Sequence, residues 1–323
     1  MRYYVIGEFA HSLAKEWYPL FTSTLYDHLS SIYPDVQKSS VRKVDGQVRY
    51  HTVPELPYEV VVVVNTVWFF DIEEKKAIGI TTHDNLEQII LEGRSFIEDF
   101  DTTLYTGDFD PDRIQGFREA FSHYKKEIKF KPWRYTTHKW EPPTGTYAPS
   151  DDKLFFRGYF LNIQRGFLKS LEARKIEDID ISFNDRLLPD EFFRRCASSL
   201  GCLASSGVHD MCNRDIELFC LGVPIIRPRF RSILDIEIPE DVYFPVDFIP
   251  NTNPKKDMPL RHRFFPLYPE KLADDVLTLW NEIKHDKELL LKVGKNAREF
   301  YLEYFTNEKL LEHTTNIITS EIG

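Results

Sequence analysis

Three small residues and two charged ones pose the first chemical question. Ser205, Ser206 and Gly207 stand between an apolar run and a helical pattern, in the string SSGVHDMCNRDIELFCLGVPIIRPRF. Backbone N–H groups at such a turn, with a helix dipole behind them, favour an anion. Arg214 and Glu217 follow, three residues apart and so on one helix face. An arginine there can meet a phosphate. A carboxylate there can accept from both hydroxyls of a ribose diol. Plainer chemistry is open to the same residues: an N-cap with a tight turn, and a surface ion pair worth about a few tenths of a kcal/mol. His209 and Asp210 stand where the helix should begin, so Asp210 either complements the dipole or touches the ligand.

The elements around these residues alternate. YYVIG (3–7) reads as a short buried strand, followed by helical spacing through residue 33. EVVVVVNTVWFF (59–70) is apolar almost without a break, as expected of a strand covered on both faces in the middle of a parallel sheet. KAIGITTHDN (76–85) and TTLYTG (102–107) read as further strands, each followed by a helical segment. EPPTGTYAPSDD (141–152) resists helix and sheet and serves as a linker. A second alternation follows: strands at 153–158, 179–185, 201–207, 223–228 and 242–246, with helices between the first four. One of these helices is expected to run from His209 and close at Gly222. From Pro269 onward the sequence is helical.

The expected fold class is therefore α/β, with two Rossmann-like halves facing each other across a cleft and a C-terminal helical tail. The domain boundaries are expected at 1–147, 148–305 and 306–323, the last a helix returning to the first domain. Ligands of such sheets bind beyond the carboxyl ends of the strands, so the cleft is the expected active site.

A net charge of -10 argues against a non-specific nucleic-acid binder, which needs a basic surface. Cys196, Cys202, Cys212 and Cys220 lie close together without CxxC spacing, and they read as free thiols in a reducing compartment. No apolar run reaches the roughly 18 residues of a membrane span, and the first residues do not read as a signal peptide. The expectation is a soluble, cytoplasmic protein. The sequence carries no signal of oligomeric state.

The segment with Arg214, Glu217, Gly222, Pro224, Ile225 and Ile226 resembles the nucleotide-sugar-binding segment of GT-B glycosyltransferases, particularly exostosin-like ones. That pattern is a small-residue loop, an Arg-x-x-acid helix, then a Gly-x-Pro-hydrophobic strand. KLFFRG resembles the exostosin strand whose arginine approaches the diphosphate, here Arg157 with Gly158. VGKNAREFYLEYFTNEKLLEH resembles the tail whose last helix crosses back to the first domain. The resemblance spans roughly residues 150–320. It departs from the exostosin pattern at LGVPII, where a cysteine usually follows the glycine.

The resemblance implies glycosyl transfer from a nucleoside diphosphate sugar, with UDP favoured, to a hydroxyl of a glycan or other acceptor. It implies a metal-independent reaction, with inversion favoured and retention left open. Arg157 and Arg214 would stabilise the departing diphosphate, Ser205, Ser206 and Gly207 would supply N–H groups, and Arg165 is a further candidate. The base that takes the acceptor's proton would come from the first domain. Candidates at strand ends are His83 and Asp84, then Glu8 and His11. A helix cap at Asp84 or Asn85 fits the same string. RPRFRS (227–232) reads either as a basic cluster for an anion or as an exposed loop.

Two rivals remain. Asp-x-Asp triplets at 99–101, 108–110, 110–112 and 178–180 would fit a metal-dependent GT-A type transferase. A non-catalytic two-domain protein that closes on a sugar or nucleotide would share the same binding residues. A dehydrogenase is disfavoured, because VIGEFAHS lacks GxGxxG.

Overall fold

The structure is a computed structural model. It describes residues 3–7, 27–32, 37–44, 47–50, 60–64, 76–81, 101–106, 128–132, 134, 147–158, 166–183, 187–206, 210–231, 233–250 and 266–322. The chain divides into two compact units. The first comprises Met1–Lys139, Ile233–Asp235 and Asn307–Gly323, and the second Trp140–Ser232 and Ile236–Thr306.

The first unit holds a seven-stranded sheet. Its strands are β1 (Tyr3–Gly7), β2 (Gln37–Val44), β3 (Gln47–Tyr50), β4 (Val60–Val64), β5 (Lys76–Thr81), β6 (Asp101–Thr106) and β7 (Ile128–Pro132). The order is β3-β2-β1-β4-β5-β6-β7, and every pairing is parallel except β2 with β3. The all-valine β4 is the central strand, where a run without polar interruption belongs. The order reverses between β1 and β4, which is the switch point of this sheet.

The second unit holds β8 (Leu154–Arg157), β9 (Ile179–Ser182), β10 (Gly201–Leu203), β11 (Ile225–Pro228) and β12 (Phe244–Val246). All pairings are parallel, in the order β12-β11-β10-β8-β9. Its helices are α1 (Gly166–Arg174), α2 (Pro189–Ser198), α3 (Asn213–Leu221), α4 (Pro269–Ile283) and α5 (Lys287–Tyr304). A last helix, α6 (Asn307–Ile322), belongs to the first unit.

Alternation along β8 assigns the two faces of this sheet. Leu154 and Phe156 enter a core with Phe167, Leu168 and Leu171 of α1 and Val276 and Trp280 of α4. Phe155 meets Phe192 of α2 on the other side, ring centroids 6.2 Å apart. Gly222 ends α3 as expected, in the left-handed conformation at φ 71°. A side chain at Gly294 of α5 would run into the Gly222 carbonyl, so α3 and α5 approach backbone to backbone.

Candidate functional site

The strand order of the second unit reverses between β8 and β10, because β9 lies beyond β8 and β11 beyond β10. The carboxyl ends of β8 and β10 therefore flank the switch point. β8 ends at Arg157 and is followed by Gly158, and β10 runs on through Ala204 into Ser205 and Ser206. The topology thus brings two of the predicted segments together, from positions about fifty residues apart in the chain.

Arg214 joins them. Its Nη1 donates to the Arg157 carbonyl at 2.7 Å, which ties α3 to the end of β8. Its guanidinium lies over the Phe192 ring, 4.0 Å from the centroid. Glu217 sits one turn on, 3.5 Å from Arg214 Nε. Burial pushes the Glu217 carboxyl above its ordinary value, and the charge and hydrogen bond of Arg214 only partly offset this.

Arg157 faces elsewhere. Its guanidinium binds Asp180 of β9, through the carboxylate at 2.7 Å and the carbonyl at 3.0 Å. The Gly158 N–H donates to the Ser182 carbonyl at 3.3 Å. Asp180 also receives Arg195 of α2 at 2.8 Å. Burial acts to raise the Asp180 pKa, yet Arg157 and then Arg195 outweigh it and hold it below the ordinary value.

Helix α3 starts at Asn213, four residues later than the periodicity predicts. The reason is chemical. Asp210 is 2% exposed and accepts from Ser206 Oγ at 3.1 Å, from Arg227 Nη2 at 3.0 Å and from the Arg231 N–H. It is thereby drawn inward rather than left at a helix terminus. The helix is capped instead by Asp215, whose carboxylate accepts from the Cys212 N–H at 2.8 Å. Cys212 Sγ donates back to the Ser205 carbonyl at 3.4 Å. Ser205 is itself 2% exposed, and its hydroxyl meets no partner among the described residues.

Arg227 is the residue that sequence reasoning misplaced. It reads as part of an exposed or anion-facing basic cluster, yet it is fully buried. Its guanidinium lies between Asp210 and Asp215, 3.0 Å from each. It also lies over Phe230, 3.3 Å from the ring centroid. The available signal was its position in VPIIRP: an arginine inside a covered parallel strand has to find buried carboxylates.

The Asp-x-Asp triplet at 178–180 is occupied by the protein itself. Asp178 accepts from Trp280 Nε1 at 3.0 Å and Lys284 at 2.7 Å, and Asp180 holds the two arginines. Among the described residues no three His, Cys, Asp or Glu side chains gather as a metal site. The four cysteines are free thiols, three of them buried. No described helix is long and apolar enough to cross a membrane. Glu8, His11, His83, Asp84, Arg165, Gly207 and His209 lie outside the described residues.

No protein-family profile matches this chain, and no curated protein matches its sequence. Its structure does resemble solved ones over nearly the whole length. Sucrose-phosphate synthase from Thermosynechococcus elongatus aligns with a TM-score of 0.55 at 10% identity, covering 99% of both chains. A glycosyltransferase from Rickettsia africae aligns at 0.56 with 11% identity, covering 99% of this chain and 98% of that one. WaaG, a glycosyltransferase involved in lipopolysaccharide biosynthesis, aligns at 0.51 with 10% identity, covering 98% and 99%. The fold is GT-B. At such identity the likeness speaks for the fold, and the chemistry has to be argued from the residues. In this GT-B chain, the residues in question are those at the β8–β10 switch point.

Proposed function

We propose that the protein is a glycosyltransferase that moves a sugar from a nucleoside diphosphate sugar to a hydroxyl of a glycan or similar acceptor. The observation that carries this reading is the placement of Arg214 against the end of β8 at the switch point of the second sheet, with Glu217 beside it and Ser205 held by Cys212 at the start of the same helix. Ligands of parallel α/β sheets bind at such switch points, which supports the reading. The residue types there suit a diphosphate and a ribose. The GT-B fold supports the reaction class. UDP is the favoured base, following the exostosin-like resemblance of residues 150–320.

In the proposed reaction the acceptor oxygen attacks the anomeric carbon and the bond to the diphosphate oxygen breaks. The hydroxyl proton goes to a base, and negative charge grows on the leaving diphosphate. Arg214 and backbone N–H groups around Ser205, Ser206 and Gly207 would offset that charge. Arg165 and His209 are further donor-side candidates, and Glu217 would hold the ribose hydroxyls. Arg157 would need to leave Asp180 to reach a phosphate, so Arg214 is the stronger assignment. The base would be Asp84 or His83, with Glu8 or His11 next. β1 ends at Gly7, just before Glu8 in sequence, and β5 ends at Thr81, two residues before His83. With these groups neutralising the charge, no obligatory metal is required, and a single displacement by the acceptor oxygen inverts the anomeric carbon.

Calorimetric titration with UDP, GDP and ADP, with and without EDTA, tests the reading on wild type and Glu217→Ala. Micromolar binding of one diphosphate in EDTA, lost in the variant, is expected. Absence of binding by all three would overturn the site. Binding that needs a divalent cation and ignores Glu217 would point to the Asp-x-Asp alternative.

A further inference from the structure

We propose that Arg227 and Asp210 are positioning residues for the donor diphosphate, holding Ser205 and Ser206 after β10 in place without touching the ligand. The inference rests on the donor reading above.

The loop is fastened at several points. Asp210 takes the Ser206 hydroxyl, and Cys212 Sγ donates to the Ser205 carbonyl. Arg227 then holds Asp210 twice, by its carboxylate at 3.0 Å and its carbonyl at 3.1 Å. The same guanidinium reaches Asp215, which caps the first turn of α3. One buried cation on β11 thus ties Asp210, which holds Ser206, to the helix that carries Arg214 and Glu217. Arg227 Nε donates to the Pro228 carbonyl at 2.8 Å, which orients the guanidinium. These groups are 0–2% exposed, and water does not compete for their hydrogen bonds.

Electrostatics separates this role from a direct one. The Asp210 carboxylate by its charge alone disfavours a nearby phosphate. Were the network felt only through its charge, removing Asp210 would strengthen nucleotide binding. A positioning role predicts the opposite sign. Asp210→Ala also leaves Arg227 paired with Asp215, a neutral pair, so the fold should survive.

The test is calorimetric titration of wild type, Asp210→Ala, Ser206→Ala and the double variant with whichever of UDP, GDP or ADP the wild type binds. Val276→Ala, in the core on α4, serves as a destabilised control outside the hydrogen-bond network. Asp210→Ala is expected to weaken binding about tenfold or more. Ser206→Ala, which keeps its backbone N–H, should weaken it about threefold, and the double variant no more than Asp210→Ala alone. The control should bind as wild type does. Unchanged or tighter binding by Asp210→Ala would overturn the inference while leaving the donor reading intact. So would losses that multiply in the double variant, or an equal loss in Val276→Ala. Failure of the wild type to bind any of the three diphosphates would overturn the donor reading and this inference with it.

Discussion

The second unit contains two arginine–aspartate clusters of inverse composition. In one, Asp180 lies between Arg157 and Arg195, with side chains 14–37% exposed. In the other, Arg227 lies between Asp210 and Asp215, with side chains 0–2% exposed. The carboxylates respond in opposite directions. Two arginines hold Asp180 below its ordinary pKa against the effect of burial. Burial raises Asp215 above its ordinary pKa, although Arg227 and the Cys212 N–H act to lower it. The same ion pair is thus stabilising or costly according to how much water remains and which charge is in excess.

The largest expected effect is at Arg227. Arg227→Met leaves two buried carboxylates without their cation and should destabilise the second unit by about 3–5 kcal/mol. Chemical denaturation would read this as a lower midpoint. Converting Asp210 and Asp215 to Asn in the same chain should recover most of the loss, because the buried charge is then gone. A triple variant as unstable as Arg227→Met would show that packing, not charge, sets the cost.

The contrast also predicts opposite pH slopes. The stability that Asp180 contributes is present above its ordinary value of 3.8 and is lost as pH falls through its lower folded pKa. Melting curves of wild type and Asp180→Asn should therefore converge below that value. Asp215 binds its proton more tightly in the folded chain, so wild type gains from it as pH falls toward 3.8 and loses it as pH rises through the folded pKa. Relative to Asp215→Asn, wild type should gain stability as pH falls over that range. Parallel curves for both variants would remove the distinction between the clusters.

Glu217 resembles Asp215 in direction and differs in its surroundings. Its raised pKa means that the folded chain favours the protonated form more than the unfolded chain does. Glu217→Gln should raise the melting temperature at pH 7, with the gain vanishing as pH falls through the folded pKa and wild type becomes protonated. The same variant should lose nucleoside diphosphate binding. A gain in stability paired with a loss of binding marks a residue kept for its ligand. A variant that melts lower and binds normally would place Glu217 among ordinary surface partners.

Periodicity served the fold better than it served the site. Apolar runs such as VVVVV and LFFR mark covered strands, because a parallel sheet hides both faces. β2 and β3 escape that signal. QKSSVRKV and QVRY are polar and lie at the sheet edge, and their antiparallel pairing is hinted at only by the Asp45–Gly46 between them. Arg214 and Glu217 share a helix face as their spacing requires, and local rules capture that. The start of α3 and the burial of Arg227 depend on partners that meet only in three dimensions. Asp210 is an acceptable helix-start residue in sequence, and Arg227, seventeen residues away, draws it inward.

The smallest expected effect belongs to the outer edge of the half-exposed cluster. Arg195 is 37% exposed, contacts Asp180 at 2.8 Å and Asp151 at 3.4 Å, and lies over the Phe155 ring. Solvent screens these charges, so Arg195→Ala should cost only about 0.5–1 kcal/mol. Salt should erase much of the difference, since exposed pairs weaken as the screening length shortens. Arg157→Ala removes the better buried partner of the same carboxylate and should cost more and respond less to salt. An equal, salt-insensitive loss in both variants would mean that Asp180 sits in an interior as dry as that around Asp215. Burial would then no longer distinguish the two clusters, and the excess of one charge sign would have to explain the difference alone.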